Sequence, residues 1–258
     1  MKRRRTPGPW WLEFFARDYY DAYRRMPGGI GDPQRAEREV AFLRQQLGIA
    51  RGTRVLDVAC GHGRHALRLA AAGARVVGLD VSAFHLSLAR GTSPADGPRW
   101  VRADMRRLPF AEGSFDVCYS MFTSFGYFAD AAEDDQQLRE MVRVLVPGGR
   151  VLIDVVSRDH VVRSFSPAHV VHLEDGGLFI EERRLDLVEG VIHTEYTHAA
   201  ASGQIRRHVV QVRAYTATDL VRLLRAAGCE LDAAFGGVDG RAVGLDGSRA
   251  IVVGRKVK

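Results

Sequence analysis

The sequence has little cysteine and no long apolar run. Its three cysteines, Cys60, Cys118 and Cys229, lie far apart and form no C-x-x-C pair. That excludes a disulfide framework and a cysteine zinc site, and each reads as a small buried residue. No stretch approaches the ~20 apolar residues that a membrane helix needs. The chain opens with Met1-Lys-Arg-Arg-Arg5, but no signal-type apolar core follows, so the expectation is a cytoplasmic protein without a membrane partner. No internal repeat or low-complexity segment is present, and the histidines show no metal-ligand spacing, so no metal is expected. Blocks of one charge are also scarce. The 37 basic and 31 acidic side chains leave a net charge of +6, but they are mixed along the chain. Only Lys2 to Arg5 forms a run, which reads as a solvated tail, and nucleic acid is disfavoured as a partner.

What is there is a long alternation of strands and helices. With 258 residues, 46% of them hydrophobic, the chain can build one sizeable α/β domain with additions. Asp32 and Pro33 suit the cap and first position of a helix running to Leu47, with Val40, Leu43 and Leu47 as its apolar stripe and Gly48 as its stop. Strands are expected at 54–58, 75–80, 99–103, 115–121 and 150–156. Helices are expected at 62–72, at 82–90 with Ser82 as cap, and at 133–145, the last stopped by Pro147-Gly-Gly149. This order predicts a Rossmann-like, doubly wound sheet.

From about His160 the pattern changes. Residues 170–174, 178–187, 191–197 and 205–215 are strand-like and are joined by short glycine-bearing turns, the signature of an antiparallel meander. It is too small to fold alone with confidence and reads as an insertion over the parallel sheet. Thr216 to Asp219 forms a capping box that restarts the α/β pattern. Strands at 229–235 and 250–254 complete a seven-stranded sheet with an antiparallel last strand. The expected organisation is N-terminal lid helices over 1–47, a core over 48–159 and 215–258, and an inserted β lid over 160–214.

The richest segment is Val55-Leu-Asp-Val-Ala-Cys-Gly-His-Gly-Arg-His-Ala66. Gly61-x-Gly63-x-x-Ala66 fits a loose dinucleotide pattern, and Asp80 ends the next strand at about the right distance. A nicotinamide dehydrogenase is therefore the serious rival reading. Asp57 argues against it. A carboxylate at the end of the first strand would repel a pyrophosphate and would favour an ammonium or sulfonium group. Asp104 ends a third strand and could reach an adenine amino group.

With the blocks VVGLDVS, RADMRRLPF, FDVCYSMFTSFGYF and LVPGGRVLID, the chain resembles the class I S-adenosylmethionine-dependent methyltransferases of the type 11/type 25 domain group. The resemblance covers residues 35–157 well. It implies S-adenosylmethionine as cofactor and S-adenosylhomocysteine as product. It implies that Asp57, Ala59, Cys60, Gly61 and Gly63 hold the methionine moiety, with glycines for close approach. Asp80 would take the ribose hydroxyls, Val81 would pack on the adenine, Asp104 and Met105 would contact its edge and face, and Met121 and Phe122 would line the methionine arm. His62 and Arg64 depart from the usual residues of the family, so a contact to the cofactor and a surface position both stay open for His62.

The acceptor is expected beyond the carboxyl ends of the strands. The loop Phe122-Thr-Ser-Phe-Gly-Tyr-Phe128 lacks the Asn/Asp-Pro-Pro-Tyr/Phe signature for base amino groups and for glutamine, and it lacks a Pro-Cys nucleophile. Both absences favour a small-molecule acceptor. The alternative is an RNA or protein methyltransferase that docks through the basic tail and the meander. Ser124 and Tyr127, with Tyr19 and Tyr23 of a tyrosine-bearing lid segment, are the candidates for orienting the acceptor, and the catalytic group is open. The meander also carries His193, His198 and His208 with Arg183, Arg206 and Arg207, most simply as solvent-facing strand positions. Gly236 to Gly240 could border the site. A monomer or homodimer is expected.

Overall fold

The computed structural model describes Trp11, Phe14, Phe15, Tyr20, residues 29–173 and residues 176–257. Tyr19, Tyr23 and the tail Lys2 to Arg5 lie outside the described residues.

The first described helix, α1 (Pro33–Leu47), starts and stops as its sequence requires. The Asp32 side chain accepts from the backbone N–H groups of Gln34 and Arg35, and Gly48 closes the helix in the left-handed region at φ 67°. The α/β core then follows as β1 (Arg54–Val58), α2 (Arg64–Ala71), β2 (Arg75–Asp80), α3 (Ala83–Thr92), β3 (Arg99–Arg102), β4 (Phe115–Ser120), α4 (Ala131–Arg143) and β5 (Leu145–Val156). A short helix, α5 (Arg158–Arg163), leads into β6 (Ala168–His172), β7 (Leu178–Asp186), β8 (Val191–Ala199) and β9 (Ile205–Arg213). The chain returns through α6 (Ala217–Ala226), β10 (Cys229–Phe235) and β11 (Arg249–Lys256).

Seven strands form one sheet in the order β10-β11-β5-β4-β1-β2-β3, and β11 runs antiparallel to both of its neighbours. Alternating residues of each central strand feed two cores. Leu56, Val58, Cys118 and Ile153 pack against α4 and α6. Val55, Val117, Tyr119 and Leu152 pack against α1 and α2. A strand buried on both faces must read as a near-continuous apolar run, as β1 and β4 do. Asp57 is the exception in β1, with only 2% of its surface exposed. The expected seven-stranded sheet with its antiparallel last strand is present, and β6 to β9 form a separate four-stranded antiparallel meander.

Several boundaries differ from the sequence reading by one to a few residues, three of them for a clear local reason. The helix expected at 133–145 is α4 at Ala131–Arg143, because Asp130 caps it by accepting from Ala132 N–H and the chain leaves helical geometry at Val144. Pro147-Gly-Gly149 therefore does not stop a helix; it lies inside the span of β5, which already pairs with β4 at Leu145. The edge strand expected at 170–174 is β6 at Ala168–His172, where antiparallel pairing to β7 sets the register. The α5 helix is an addition, capped by the Ser157 hydroxyl accepting from His160 N–H. Among the described residues no helix is long and apolar enough to cross a membrane.

Candidate functional site

The carboxyl ends of β1, β2 and β4 open onto one cavity, lined by Asp57, Ala59, Cys60, Gly61, His62, Arg64, Asp80, Val81, Asp104, Met105, Met121 and Phe122 among others. Of the expected cofactor residues, only Gly63 does not line it. Gly63 is the left-handed cap of α2 at φ 81°, and a Cβ there would collide with the Trp100 ring from β3. Packing therefore supplies a reason for its glycine. Gly61 lines the cavity at φ 57°, with open space where a Cβ would lie.

The backbone around this cavity is strained. Ala59, Phe122 and Thr123 are the non-glycine residues with positive φ among those described, each at 59°. They follow β1 and β4 directly. Conformations of this kind cost about 1–3 kcal/mol each and persist where surrounding structure enforces them. Asp154 supplies that enforcement after β4. Its Oδ2 accepts from Phe122 N–H at 2.8 Å, and its backbone carbonyl accepts from Thr123 N–H at 3.0 Å. Arg249 donates from Nε to Asp154 Oδ1 at 2.7 Å and from Nη1 to the Thr123 hydroxyl at 3.1 Å. The Phe122 ring then sits under three guanidinium groups, at 4.4 Å from Arg35, 5.5 Å from Arg64 and 6.0 Å from Arg249.

Two buried groups in this cavity each keep an atom without a hydrogen-bond partner. Asp57 Oδ2 and Arg64 Nη2 make no hydrogen bond. Burial lifts the Asp57 pKa to about 7; the Tyr119 hydroxyl and the Arg64 guanidinium pull it down, and Asp80 pushes it up. Arg64 is held by Glu39 of α1, which also bonds Nε2 of His65 at 2.7 Å and takes the Arg35 Nε at 2.9 Å. Burial opposes ionisation of Glu39, but His65 and Arg64 together hold its carboxyl well below the usual range. An unsatisfied acceptor beside an unsatisfied donor matches a zwitterion, with its ammonium on Asp57 and its carboxylate on Arg64. A pyrophosphate would satisfy Arg64 and oppose Asp57. The residues present therefore fit the amino acid arm of S-adenosylmethionine.

Asp80 organises the turn. Its Oδ2 accepts from Gly61 N–H at 2.8 Å and its Oδ1 from Ser82 N–H at 2.8 Å, which leaves further lone pairs facing the cavity. Asp104 is gripped by Arg106, whose Nε lies 3.0 Å from Oδ1 and 3.1 Å from Oδ2. Arg106 also pairs with Glu133 and stacks over the Phe128 ring at 4.7 Å. The side chain that would meet an adenine edge is thus tethered. His62 lines the cavity, half-buried, and burial is the main cause that lowers its pKa to about 4, so it is neutral there. Tyr20 meets the His62 ring edge-on at 5.2 Å and His85 at 6.0 Å. It stands between the two tyrosines singled out from sequence and was passed over.

A second cavity of about 550 Å³ lies beyond the first, between the strand ends and the meander. Phe15, Phe122 and Tyr127 line both cavities and form the partition. Ser124 faces only the first. Burial is the main cause that raises the Tyr127 pKa, with Tyr196 adding to it and Ser124 lowering it. The meander contributes Arg183, Ile192, Thr194, Tyr196, Val210 and Val212 to the second cavity. Its histidines do not line it; His160 of α5 does. His193, His198 and His208 are half-buried rather than exposed, and the His208 ring packs edge-on against Phe14 at 5.8 Å. Gly236 to Gly240 border a neighbouring groove with Asp154 and Arg249. Cys60, Cys118 and Cys229 are free and buried. Among the described residues no group of three or more His, Cys, Asp or Glu could hold a metal ion.

Arg64, Glu39, Asp154, Arg249 and Tyr20 had no assigned role in the sequence reading. Arg64 had a usable signal, as the first cationic residue of the helix that follows the glycine turn. The others act across long sequence separations, such as the 126 residues between Thr123 and Arg249.

Comparison with known proteins agrees with this geometry. A family model described as a methyltransferase domain matches residues 55–149. "Methyltransferase GfsG" of Streptomyces halstedii is 34% identical over 194 residues, 68% of each chain. Of several other curated relatives that it matches, the chain spans about half the length or less. The solved CcbJ methyltransferase of Streptomyces caelestis shares the fold at a TM-score of 0.80 and 21% identity, covering 92% of this chain and 96% of that one. The sugar N-methyltransferase KedS8 of Streptoalloteichus sp ATCC 53650 superposes at a TM-score of 0.67 with 25% identity, over 94% and 93% of the two chains.

Proposed function

The chain belongs to the class I S-adenosylmethionine-dependent methyltransferases, and we propose on that premise that it methylates an N, O or C atom of a small molecule held in the second cavity. The observation that carries this reading is the pair of cavities with a shared wall. A methyl group presented from the first can pass to an acceptor in the second only at the partition of Phe15, Phe122 and Tyr127. The second cavity is roofed by the meander and is of ligand size, within the roughly 300–1,000 Å³ usual for small-molecule sites. The name of KedS8, a sugar N-methyltransferase, supports an acceptor of this size.

In this reading Asp57 receives the ammonium and Arg64 the carboxylate of the methionine arm. Asp80 receives the ribose hydroxyls, Val81 packs on the adenine, and Asp104 and Met105 flank its edge and face. Met121 and Phe122 bound the arm, and Ala59, Cys60 and Gly61 supply close backbone. The bound sulfonium supplies an electrophilic methyl. The protein's contribution is position and dryness: the partition sets the line of approach, and the aromatic wall excludes water. Tyr127 orients the acceptor at the partition, while Ser124 stands on the donor side of it. Among the described residues no carboxylate lines the second cavity, so none is placed there to take a proton from an amine.

The test is incubation of the purified protein with methyl-labelled cofactor and a fractionated cell extract. The expected outcome is label in the small-molecule fraction. Label in the RNA or protein fraction would overturn the small-molecule reading. It would favour docking through the meander instead.

A further inference from the structure

The polar wall of the second cavity carries one sign. Arg35, Arg183 and Arg249 line it, with His160, while among the described residues no Asp or Glu does. The carboxylates that pair with these arginines, Glu39, Glu181 and Asp154, stand outside the lining. Arg249 is not saturated by its partner. Nε and Nη1 are committed to Asp154 and Thr123, but Nη2 is buried and has no hydrogen-bond partner. A buried donor left unmade costs about 1–3 kcal/mol, so an acceptor oxygen delivered by a ligand is favoured there. The remaining walls are apolar: Phe122, Phe165, Ile192, Val210 and Val212 among them.

Building on the proposed methyltransferase activity, we infer that the acceptor is a largely apolar molecule carrying an oxyanion, a carboxylate or a phosphate, received by Arg249 from the core and Arg183 from the meander. Guanidinium groups suit such oxyanions through paired, charge-assisted hydrogen bonds. The anion fixes one end of the acceptor in the outer cavity and leaves the other end to reach the partition at Phe122 and Tyr127.

The test uses 1-anilinonaphthalene-8-sulfonate as a fluorescent reporter of the cavity. Phenyl phosphate, benzoate and benzyl alcohol serve as displacers that share an apolar ring. At least one of the two anions should displace the reporter at a tenfold or more lower concentration than benzyl alcohol, and the stronger one identifies phosphate or carboxylate. That preference should fall at least fivefold in Arg183→Gln or Arg249→Gln. Arg183→Gln leaves the Thr123 turn untouched and guards against a folding defect in the other variant. Equal displacement by the alcohol, or a preference that survives in both variants, overturns the inference. Calorimetry with S-adenosylmethionine on the same wild-type preparation separates the two readings. Cofactor binding without anion preference removes only this inference, whereas absence of cofactor binding removes the methyltransferase reading itself.

Discussion

The seven-stranded sheet and the four-stranded meander make opposite use of their side chains. At the strand ends of the larger sheet, two nearly buried acids, Asp57 and Asp80, crowd a glycine turn, and three non-glycine residues take left-handed backbone. The meander has a small core centred on Leu173 and Phe179, and its cavity-facing side is a mixture of aliphatic, hydroxyl and arginine side chains. The first arrangement is costly and therefore specific, because buried unpaired charges and strained φ values persist only where they are enforced. The second is a mixed surface with a smaller core beneath it. On the proposed reading, donor recognition is built into the core and acceptor recognition is shared with the roof.

Substitutions can break or sharpen that contrast. Asp80→Ala should have the largest effect. It removes the acceptor for Gly61 and Ser82 N–H as well as the proposed ribose contact, so cofactor affinity should fall about a thousandfold, or about 4 kcal/mol, by calorimetry. Gly63→Ala combines an unfavourable φ with collision against Trp100 and should cost about 3 kcal/mol of stability in denaturant unfolding. An unchanged unfolding midpoint would show that the turn is not locked by packing.

Asp57 makes a pH-dependent prediction. Its proton is held to about pH 7 in the folded protein, against an ordinary value of 3.8. Ionisation therefore destabilises the ligand-free fold progressively as pH rises from about 4 to 7. Asp57→Asn removes that penalty, so the variant should gain stability relative to the wild type between pH 4 and pH 8, by up to a few kcal/mol. Cofactor affinity of the wild type should fall by up to about tenfold per pH unit below 7, where the carboxyl must first lose its proton to pair with an ammonium. The smallest effect belongs to the roof. Ile192→Ala should raise the acceptor KM about fivefold and leave cofactor affinity within about twofold, a split that marks acceptor binding alone.

The donor half was legible in sequence because its information is local. Asp57, the two glycines and Asp80 fall within a span of 24 residues, and strand–turn–helix periodicity alone places them at one edge of a sheet. The meander was legible as strands, since alternation and glycine turns are also local. The contents of the acceptor cavity were not. Arg249 and Thr123 meet only after the chain has closed on itself, and no period in the sequence marks that meeting. Gly63 was legible as a required glycine, but the reason lies in Trp100, a residue of a different strand. His62 was undecided in sequence because exposure is a tertiary property; the structure places it half-buried against the cavity.

In the proposed function Asp57 and Arg64 read a zwitterionic arm. The measurement that bears on it most directly compares the affinity of S-adenosylhomocysteine with that of 5′-methylthioadenosine, which keeps the nucleoside and thioether but has no amino acid arm. The account predicts that S-adenosylhomocysteine binds at least about a hundredfold more tightly to the wild type, and that most of this gap closes in Asp57→Asn. Equal affinity of the two ligands for the wild-type protein would contradict it.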